Sequence, residues 1–237
     1  MESPSGLPSE VSRLTIIMPV LNEASGIEAA LQALQPLRAR GHELIVVDGG
    51  SVDATARLAA GAADRVIDAP RGRAHQMNAG ARVARGDVLL FLHADTRLPE
   101  DADATVVETL RQSGRCWGRF NVRIDSARPL LRLVASMMNL RSRLTGICTG
   151  DQAIFVTAQA FTRIGGYPPL ALMEDIALSS QLRRCSRPVA LHATVVTSAR
   201  RWERNGVLRT IALMWWLRLR YFFGAAPAHL AQIYEQR

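Results

Sequence analysis

Residues 87–95 read DVLLFLHAD, an apolar run that ends in a histidine and an aspartate. A short apolar run closed by polar residues is typical of a strand in a parallel sheet that is covered on both faces. Pro99 follows, and proline is common in the first turn of a helix. This stretch therefore predicts a strand followed by a helix, with His93 and Asp95 directly after the strand.

The residues before this stretch repeat the same alternation. Further strands are predicted at 14–20 (LTIIMPV), 43–50 (ELIVVDGG) and 65–67, and helices at 25–37, at 51–60 and through 77–81. Turns of a few residues separate these segments. The order predicts an α/β fold with a mostly parallel sheet flanked by helices, as far as residue 112.

The pattern changes after residue 112. The segment 116–125 (CWGRFNVRID) alternates in polarity and predicts a strand placed differently from the others, with an antiparallel orientation as one option. Helices are predicted at 130–144, 173–184 and 207–223, and extended segments at 152–156 and 188–198. No internal repeat divides the chain, so we expect a disordered lead at 1–12 and a single domain at 13–237.

The composition is strongly basic. The 237 residues include 29 Lys+Arg against 21 Asp+Glu, and because the sequence contains no lysine, every one of these cations is an arginine. The net charge of +8 fits nucleic acid, an anionic membrane surface or a phosphate-bearing small molecule, and does not choose among them. The N-terminal segment lacks the basic and apolar layout of a signal peptide, and the three separated cysteines predict no disulfide framework, so we expect a cytoplasmic protein.

Polar side chains follow three of the predicted strands. They are Asn22 and Glu23, then Asp48, then His93 and Asp95. Ligands bind at the carboxyl ends of the strands in open α/β sheets. A single acid there is most simply a helix cap, but acids gathered on one edge repel each other unless a cation or ligand uses them, so we expect a binding site. The sequence has neither GxGxxG after the first strand nor a P-loop motif, which weakens those two interpretations.

Two charged pairs stand at the heads of predicted helices. Arg71 and Arg73 could hold phosphate oxygens beside a helix N-terminus, or could be solvated surface residues. Glu174 and Asp175 could serve chemistry, or could simply be favoured there by the helix dipole. Both interpretations of each pair stay open from the residues alone.

Several segments resemble known glycosyltransferases. TIIMPVLNEASGIEAAL (15–31), VVDGGSVDAT (46–55) and RGRAHQMNAGARVARGDVLLFLHADTRLP (71–99) resemble the family 2 glycosyltransferases of the GT-A fold, and the likeness spans residues 14–204. In the back half, the segments 149–156, 161–184 and 195–202 resemble a small bacterial subfamily that is found beside radical-SAM genes and is linked to arsenosugar biosynthesis. The resemblance implies a nucleotide-sugar-binding half (13–112), an acceptor-side half (113–204) and an amphipathic C-terminal helix and tail (205–237).

The resemblance implies transfer of a sugar from a nucleoside diphosphate, UDP in the first instance, to the hydroxyl group of a small-molecule or lipid-linked acceptor. The residues that it places around the nucleotide sugar are Pro19, Asn22, Glu23, Asp48, Gly49, Arg71, Arg73, His93, Asp95, Arg201 and Trp202. Within this set it implies that Asp48 hydrogen-bonds the base, and that Arg201 and Trp202 form a lid over the diphosphate or the acceptor.

The resemblance also implies a divalent cation, Mn²⁺ or Mg²⁺, held by Asp95 across the diphosphate. The family motif is Asp-x-Asp, and this chain has His93-Ala94-Asp95 instead. His93 could therefore bind the metal, contact the ribose or be purely structural. An all-oxygen site suits these hard ions, and a dication stabilises the charge that develops on the departing diphosphate.

The catalytic groups implied by the resemblance are carboxylates. Asp175 is the expected general base of an inverting transfer, with Glu174 orienting it or the acceptor. Asp151, in the segment TGDQ, lines the acceptor pocket in this picture and is the rival base.

The C-terminal segment 207–223 (VLRTIALMWWLRLRYFF) is too interrupted by arginines to span a membrane. One interpretation is an interfacial helix at the inner face of the membrane, and the other is packing on its own sheet or on a second subunit of a homodimer. Two other functions remain as alternatives: a nucleotidyltransferase, and a basic membrane-surface or nucleic-acid-binding module without catalysis. We expect no nucleic-acid partner, because the acids at the strand ends have no use in such a module.

Overall fold

The structure of the chain, a computed structural model, describes residues 13–235 and contains eight strands and eleven helices within that range. The strands are β1 (Leu14–Val20), β2 (Glu43–Asp48), β3 (Arg65–Asp68), β4 (Val88–Phe91), β5 (Thr96–Arg97), β6 (Trp117–Asp125), β7 (Ile154–Thr157) and β8 (Val189–Ser198). The helices are α1 (Ile27–Ala33), α2 (Gln35–Ala39), α3 (Thr55–Ala59), α4 (Arg73–Val83), α5 (Ala102–Ser113), α6 (Pro129–Thr145), α7 (Ala158–Arg163), α8 (Glu174–Leu182), α9 (Arg200–Asn205), α10 (Val207–Phe222) and α11 (Pro227–Glu235). The expected disordered lead at 1–12 lies outside the described residues.

The strands form one sheet in the order β3-β2-β1-β4-β7-β6-β8-β5. The first four are parallel to one another, β6 is parallel to β8, and only β7 and β5 run antiparallel to their neighbours. The mostly parallel sheet is therefore confirmed. The strand predicted at 116–125 is also placed differently from the first four, because β6 is separated from them by the antiparallel β7.

Helices cover both faces of the sheet because side chains alternate along each strand. In β1, Ile16 and Met18 point into one hydrophobic cluster with α1 and α5, whereas Ile17 points into the other cluster with α4 and α8. β1, β2 and β4 are buried on both faces, which explains why these strands are nearly continuous apolar runs in the sequence.

The helix predicted at 25–37 is two helices in the structure. Pro36 occupies the first turn of α2 and has no N–H to donate to the preceding turn. α1 therefore ends at Ala33, and α2 begins at Gln35, with the single residue Leu34 between them. The helix expected to open at Pro99 begins at Ala102 instead, whose N–H donates to the Pro99 carbonyl at 3.2 Å. β5, α7, α9 and α11 are not predicted from the sequence.

The C-terminal helix α10 has one packed face and one open face. Its inner face packs against α6 through Val207 and against the start of α8 and α11 through Leu217. Large apolar side chains remain exposed on its outer face, namely Leu208, Trp215, Trp216, Leu219 and Phe222, with Phe223 just beyond the helix. Among residues 13–235, no helix combines the length and the hydropathy that crossing a bilayer requires.

Candidate functional site

The strand register brings the polar strand ends together. Val20 of β1 lies beside Asp48 of β2, and Ile17 of β1 lies beside Phe91 of β4, so His93 and Asp95 emerge next to the end of β1. A cleft of about 710 Å³ opens along this edge of the sheet. Its other walls come from α6, α8, α10 and α11, which lie far from the strands in sequence.

Most of the residues predicted from the sequence line this cleft. They are Pro19, Glu23, Arg71, Arg73, His93, Asp95, Asp151, Glu174, Asp175, Arg201 and Trp202. Asn22, Asp48 and Gly49 are not part of its wall and lie in the two turns that border it. The structure therefore brings the donor-side and acceptor-side groups of the prediction into one cavity.

The bordering turns are built by the three residues outside the wall. The Asp48 carboxylate accepts hydrogen bonds from the N–H groups of Gly50 at 3.1 Å and Ser51 at 2.8 Å. Asn22, in the left-handed region with φ 55°, accepts from the Val52 N–H at 2.9 Å through its side-chain oxygen. These contacts tie the turn after β1 to the turn after β2 and hold the edge of the cleft in one shape.

Gln76 of α4 is a structural support for this edge that the sequence analysis missed. Its buried Nε2 donates to the carbonyl oxygens of Val20 and Val47, each at 2.8 Å, at the ends of β1 and β2. A Cβ on Gly49 would lie 3.0 Å from the Gln76 Cδ, so the glycine leaves room for this amide. The available signal was a single large polar side chain on the buried, small-residue face of a helix.

His93, Asp151 and Asp175 meet around the 3₁₀ turn Gly150–Gln152. His93 is buried, and its Nδ1 lies 3.4 Å from the Asp151 Oδ1. The Gly150 N–H donates to the Asp175 Oδ2 at 2.8 Å, while the Asp175 Oδ1 and the His93 Nε2 have no hydrogen-bond partner within residues 13–235. Gly150 was missed as a functional position, although it stands in the quoted segment directly before Asp151.

Glu174 and Asp175 begin α8, and both are buried. Desolvation and the neighbouring charge of Asp175 raise the pKa of Glu174 to about 7. Desolvation also raises the pKa of Asp175, although the charges of His93 and Arg73 and the Gly150 N–H oppose the rise. Two adjacent carboxyl groups with raised pKa values in a cleft are a candidate acid–base centre, and the two protons titrate as a pair.

Arg73 and Arg201 place positive charge in the cleft near Asp95 and Asp151. Desolvation disfavours the charged form of Arg73, but the carboxylates Glu174, Asp175, Asp151 and Asp95 outweigh it and raise the pKa of the guanidinium. For Arg201 desolvation and the charge of Arg73 prevail and lower the pKa, with Asp151 and Asp95 opposing. The Arg201 guanidinium also stacks 3.7 Å above the ring centre of Tyr234 in α11.

The carboxylate of Asp151 is held ionised by its neighbours. Desolvation alone would raise the pKa of Asp151, but the contact with His93 and the charges of His93, Arg73 and Arg201 lower it. Asp151 and Asp175 thus differ in character, because the pKa of one is lowered and that of the other is raised in the same cleft.

Asp95 is the carboxylate best placed for a divalent cation. It is exposed in the cleft and forms no ion pair with any residue in the range 13–235. Over the same residues, no three His, Cys, Asp or Glu side chains converge closely enough to hold a metal ion on their own. The donor set therefore fits an ion that takes one hard oxygen ligand from the protein and its other ligands from a bound diphosphate and water.

The family of the chain follows from its sequence. Residues 15–160, more than half of the chain, match Glycosyl transferase family 2, and the chain belongs to this family. It is 27% identical over 164 residues to the undecaprenyl-phosphate 4-deoxy-4-formamido-L-arabinose transferase of Pseudomonas aeruginosa, covering 64% of this chain and 48% of that protein. It is 26% identical over 192 residues to the poly-beta-1,6-N-acetyl-D-glucosamine synthase of Staphylococcus aureus, covering 73% of this chain and 46% of that protein. The chain thus spans about half the length of these relatives.

Solved structures share the fold. The crystal structure of S. aureus TarS 1-349 in complex with UDP-GlcNAc superposes with a TM-score of 0.66 at 17% identity, over 79% of this chain and 58% of that one. The mannosyltransferase PcManGT from Pyrobaculum calidifontis, in complex with GDP-Man and Mn²⁺, gives a TM-score of 0.60 at 25% identity, over 80% of this chain and 57% of that one. These similarities confirm the predicted GT-A fold, and the family match favours a glycosyltransferase over both alternatives named above.

Proposed function

We propose that the protein transfers a sugar from a nucleoside-diphospho-sugar, UDP-linked in the first instance, to an acceptor hydroxyl group with inversion at the anomeric carbon. The observation that carries this proposal is the convergence of Arg73 and Asp95 with the Glu174–Asp175 pair in one cleft. Arg73 can bind a diphosphate directly, and Asp95 can bind it through a divalent cation. The carboxyl pair Glu174–Asp175 can take the proton of an attacking hydroxyl group. The family match supports the reaction class.

The donor occupies the half of the cleft formed by residues 13–112. Pro19, Glu23 and the turns held by Asn22, Asp48 and Gly49 surround the nucleoside, with Asp48 toward the base. Arg71 and Arg73 lie beside the diphosphate, and Arg201 and Trp202 close over it. TarS, which has the same fold, has been solved in complex with UDP-GlcNAc, and this supports a UDP donor.

Mn²⁺ or Mg²⁺ would be held by Asp95 together with oxygens of the donor diphosphate. When bound, the ion neutralises charge that develops on the leaving diphosphate. Support comes from the exposed Asp95 carboxylate, which has no ion-pair partner within residues 13–235, and from PcManGT, a structural neighbour solved in complex with GDP-Man and Mn²⁺. His93 stays a candidate second ligand, but its Nδ1 lies toward Asp151.

Asp175 acts as the general base. Its Oδ1 takes the proton of the acceptor hydroxyl as the acceptor oxygen forms a bond to the anomeric carbon and the bond from that carbon to the phosphate oxygen breaks. The Gly150 N–H holds the other carboxylate oxygen at 2.8 Å and so orients the group. Glu174 keeps the pKa of the pair high by its proximity, and Asp151 is the alternative base.

The acceptor is a small molecule or a lipid-linked one, and the outer face of α10 lies on the inner face of the membrane. This face combines exposed Trp215, Phe222 and Phe223 with two exposed arginines, Arg209 and Arg220. An apolar face beside cations suits an anionic lipid surface. The relative from Pseudomonas aeruginosa is named for undecaprenyl phosphate. We also propose that the chain belongs to the radical-SAM-associated subfamily and that it forms a homodimer.

A donor screen tests the proposal directly. Thermal shift and nucleotide release are measured across UDP-, GDP- and dTDP-sugars with Mn²⁺, with Mg²⁺ and with a chelator. We expect one nucleotide sugar to raise the melting temperature in a metal-dependent way and to be slowly hydrolysed. If no nucleoside diphosphate or nucleotide sugar stabilises the protein in any metal, the proposed function is wrong.

A further inference from the structure

Two arginines in the cleft have no hydrogen-bond partner for their buried nitrogens within the described residues. Arg141 of α6 and Arg218 of α10 both line it, and both are half-buried. The Nε and Nη2 of Arg141 and the Nε of Arg218 are buried without any hydrogen-bond acceptor in residues 13–235, and neither guanidinium pairs with a carboxylate in that range. Buried polar groups in proteins are normally hydrogen-bonded, so an acceptor that the protein does not supply is expected here.

The charge of Arg141 also disfavours the charged form of Arg218. Desolvation lowers the pKa of Arg141, and desolvation together with the charge of Arg141 lowers the pKa of Arg218 to about 10. Like charges that share a partly dry site favour a bound counter-ion, by the same physics that makes clustered carboxylates favour a cation. The missing acceptor is therefore an anion.

The position of this pair separates it from the donor diphosphate. Asp95, the proposed metal ligand, is among the carboxylates that act on both Arg73 and Arg201. Asp151 and Asp175 act on Arg218 as they do on Arg73, but Asp95 is not among the charges that act on Arg218. Arg218, which shares its part of the cleft with Arg141, therefore lies farther from Asp95 than Arg73 and Arg201 do, and we place the pair toward the acceptor side.

The walls next to the pair are apolar. They come from α6 and α10 and comprise Leu130, Leu133, Val134, Met137, Met138, Ile211, Met214 and Trp215. Leu133 and Met137 keep more than half of their surface exposed, so the apolar wall continues from the cleft to the outside of the molecule. A ligand that places an anionic group on the arginines would place its remainder along this wall.

We propose that Arg141 and Arg218 bind the phosphate group of an acceptor whose remainder is apolar. Guanidinium groups suit phosphate because they donate several hydrogen bonds in a plane, so the pair would anchor the acceptor by its phosphate group. The proposal rests on the proposed function for the identity of the acceptor, but the binding site can be measured without turnover.

Farnesyl phosphate, farnesol and inorganic phosphate are the probes, titrated into the full chain by calorimetry below the micellar concentration of the lipids. We expect farnesyl phosphate to bind, and Arg141→Gln and Arg218→Gln each to weaken it by at least about tenfold, the loss of a charge-assisted hydrogen bond. Farnesol should bind more weakly than farnesyl phosphate by a similar factor. Arg132→Gln, which removes an exposed arginine from the same helix α6, should leave binding unchanged.

UDP affinity separates this inference from the proposed function. UDP binding should be unchanged in both arginine variants, and a parallel loss of UDP affinity would place the pair on the donor and overturn the inference. Wild-type binding of farnesyl phosphate by both variants overturns it as well. If inorganic phosphate binds as tightly as farnesyl phosphate, the apolar wall contributes nothing to binding. The ligand of the two arginines is then a soluble phosphate compound, and the inference of an apolar remainder is overturned. Arg141→Lys should restore most of the binding that Arg141→Gln loses. Melting curves verify that each variant is folded. A wild-type protein that fails to bind UDP contradicts only the proposed function.

Discussion

The N–H of Gly150 donates a hydrogen bond to the Oδ2 of Asp175 at 2.8 Å, so a turn before β7 holds a carboxylate at the start of α8. The same glycine leaves no room for a side chain, because a Cβ would lie 2.5 Å from the His93 Nε2 and 3.0 Å from the Asp175 Oδ2. One oxygen of Asp175 is thereby fixed, and the other stays without a protein partner in the described residues. This relationship is what a general base needs: a held carboxylate with one free oxygen.

Gly150→Ala tests that relationship. The added methyl group must displace the His93 ring or the Asp175 carboxylate, and a misplacement of about 1 Å can lower a rate about a hundredfold. We expect turnover to fall by at least about tenfold and UDP affinity to fall less than turnover does, because Asp175 serves the acceptor and not the donor. Gly61→Ala is the matched control, since a Cβ there meets nothing within 4 Å. An active Gly150→Ala enzyme would contradict the assigned role of the turn.

Asp175→Asn separates the two candidate bases. An amide of the same shape cannot take the acceptor proton, so we expect kcat to fall by about 10²–10⁴ with donor binding retained. Asp151→Asn should cost much less, because the low pKa of Asp151 makes it a weak base. The measurement is single-turnover transfer for both variants. Retained turnover in Asp175→Asn together with loss in Asp151→Asn would move the base to Asp151.

Asp95→Ala tests the metal. UDP should raise the melting temperature more with Mn²⁺ than with chelator, and the variant should lose that difference because its hard oxygen ligand is gone. Asp101→Ala, an exposed acid at the start of α5, is the control for charge alone. If Asp95→Ala keeps the full Mn²⁺ dependence, another residue holds the ion.

The raised pKa of Glu174 predicts the pH dependence of transfer. Because Asp175 must be ionised and the pKa values of both carboxyl groups are raised, kcat/KM should rise with pH along an acid limb that lies above the ordinary range of a carboxyl group. Glu174→Gln removes the neighbouring negative charge and should move this limb to lower pH. A limb that stays in place in the variant would show that the two carboxyl groups are not coupled.

The same shift affects stability. Folding raises the pKa of Glu174 from 4.5 to about 7, so the native state binds the proton more tightly than the unfolded state. Its contribution to the free energy of unfolding is therefore present below pH 4.5 and lost as the pH rises through 7. Relative to the wild type, Glu174→Gln should therefore raise the melting temperature more at pH 8 than at pH 5. The difference should be about 2–4 °C for each kcal/mol of unfolding free energy that the ionised carboxylate costs. The measurement is the melting curve of variant and wild type at the two pH values. A larger gain in melting temperature at pH 5 would show that folding does not raise the pKa of Glu174.

Lipid vesicles test the outer face of α10. We expect the protein to co-sediment with vesicles of anionic phospholipid at low salt, and Phe222→Ser with Phe223→Ser to weaken this binding, because each exposed ring contributes apolar area. Val52→Ser, which removes an equally exposed apolar side chain on the opposite half, is the control. Full recovery of the protein in the supernatant at low salt would rule out the membrane contact.

The first half of the fold could be predicted because buried parallel strands are written as continuous apolar runs. β1, β2 and β4 all lie within their predicted segments, and the acids that follow them were recognisable for the same reason. The break between α1 and α2 was also present in the sequence as Pro36, but the periodic spacing of Ile27, Leu31 and Leu34 outweighed it. β5 is two residues long and pairs with β8 across 101 positions, which no local pattern can indicate.

The parts of the site that were missed depend on distant contacts. Gln76 reaches Val20 across 56 positions, and Gly150 reaches Asp175 across 25. Arg141 and Arg218 are ordinary helix arginines in the sequence, and only the packing of α10 beside α6 brings them into one cleft. Arg218 did leave a trace, since it interrupts an otherwise apolar run.

By itself, the sequence determined which groups stand at the ends of the strands, because strand direction and alternation are local properties of the backbone. It therefore placed Asp95 and its neighbours on one edge of the sheet. Only the tertiary structure decided which charges have partners and which do not. That question depends on the helices α6, α8, α10 and α11, which come later in the sequence and cover the edge, and on how much solvent they leave around each group. A paired arginine and an unpaired one are the same letter in the sequence, and burial makes the difference between them.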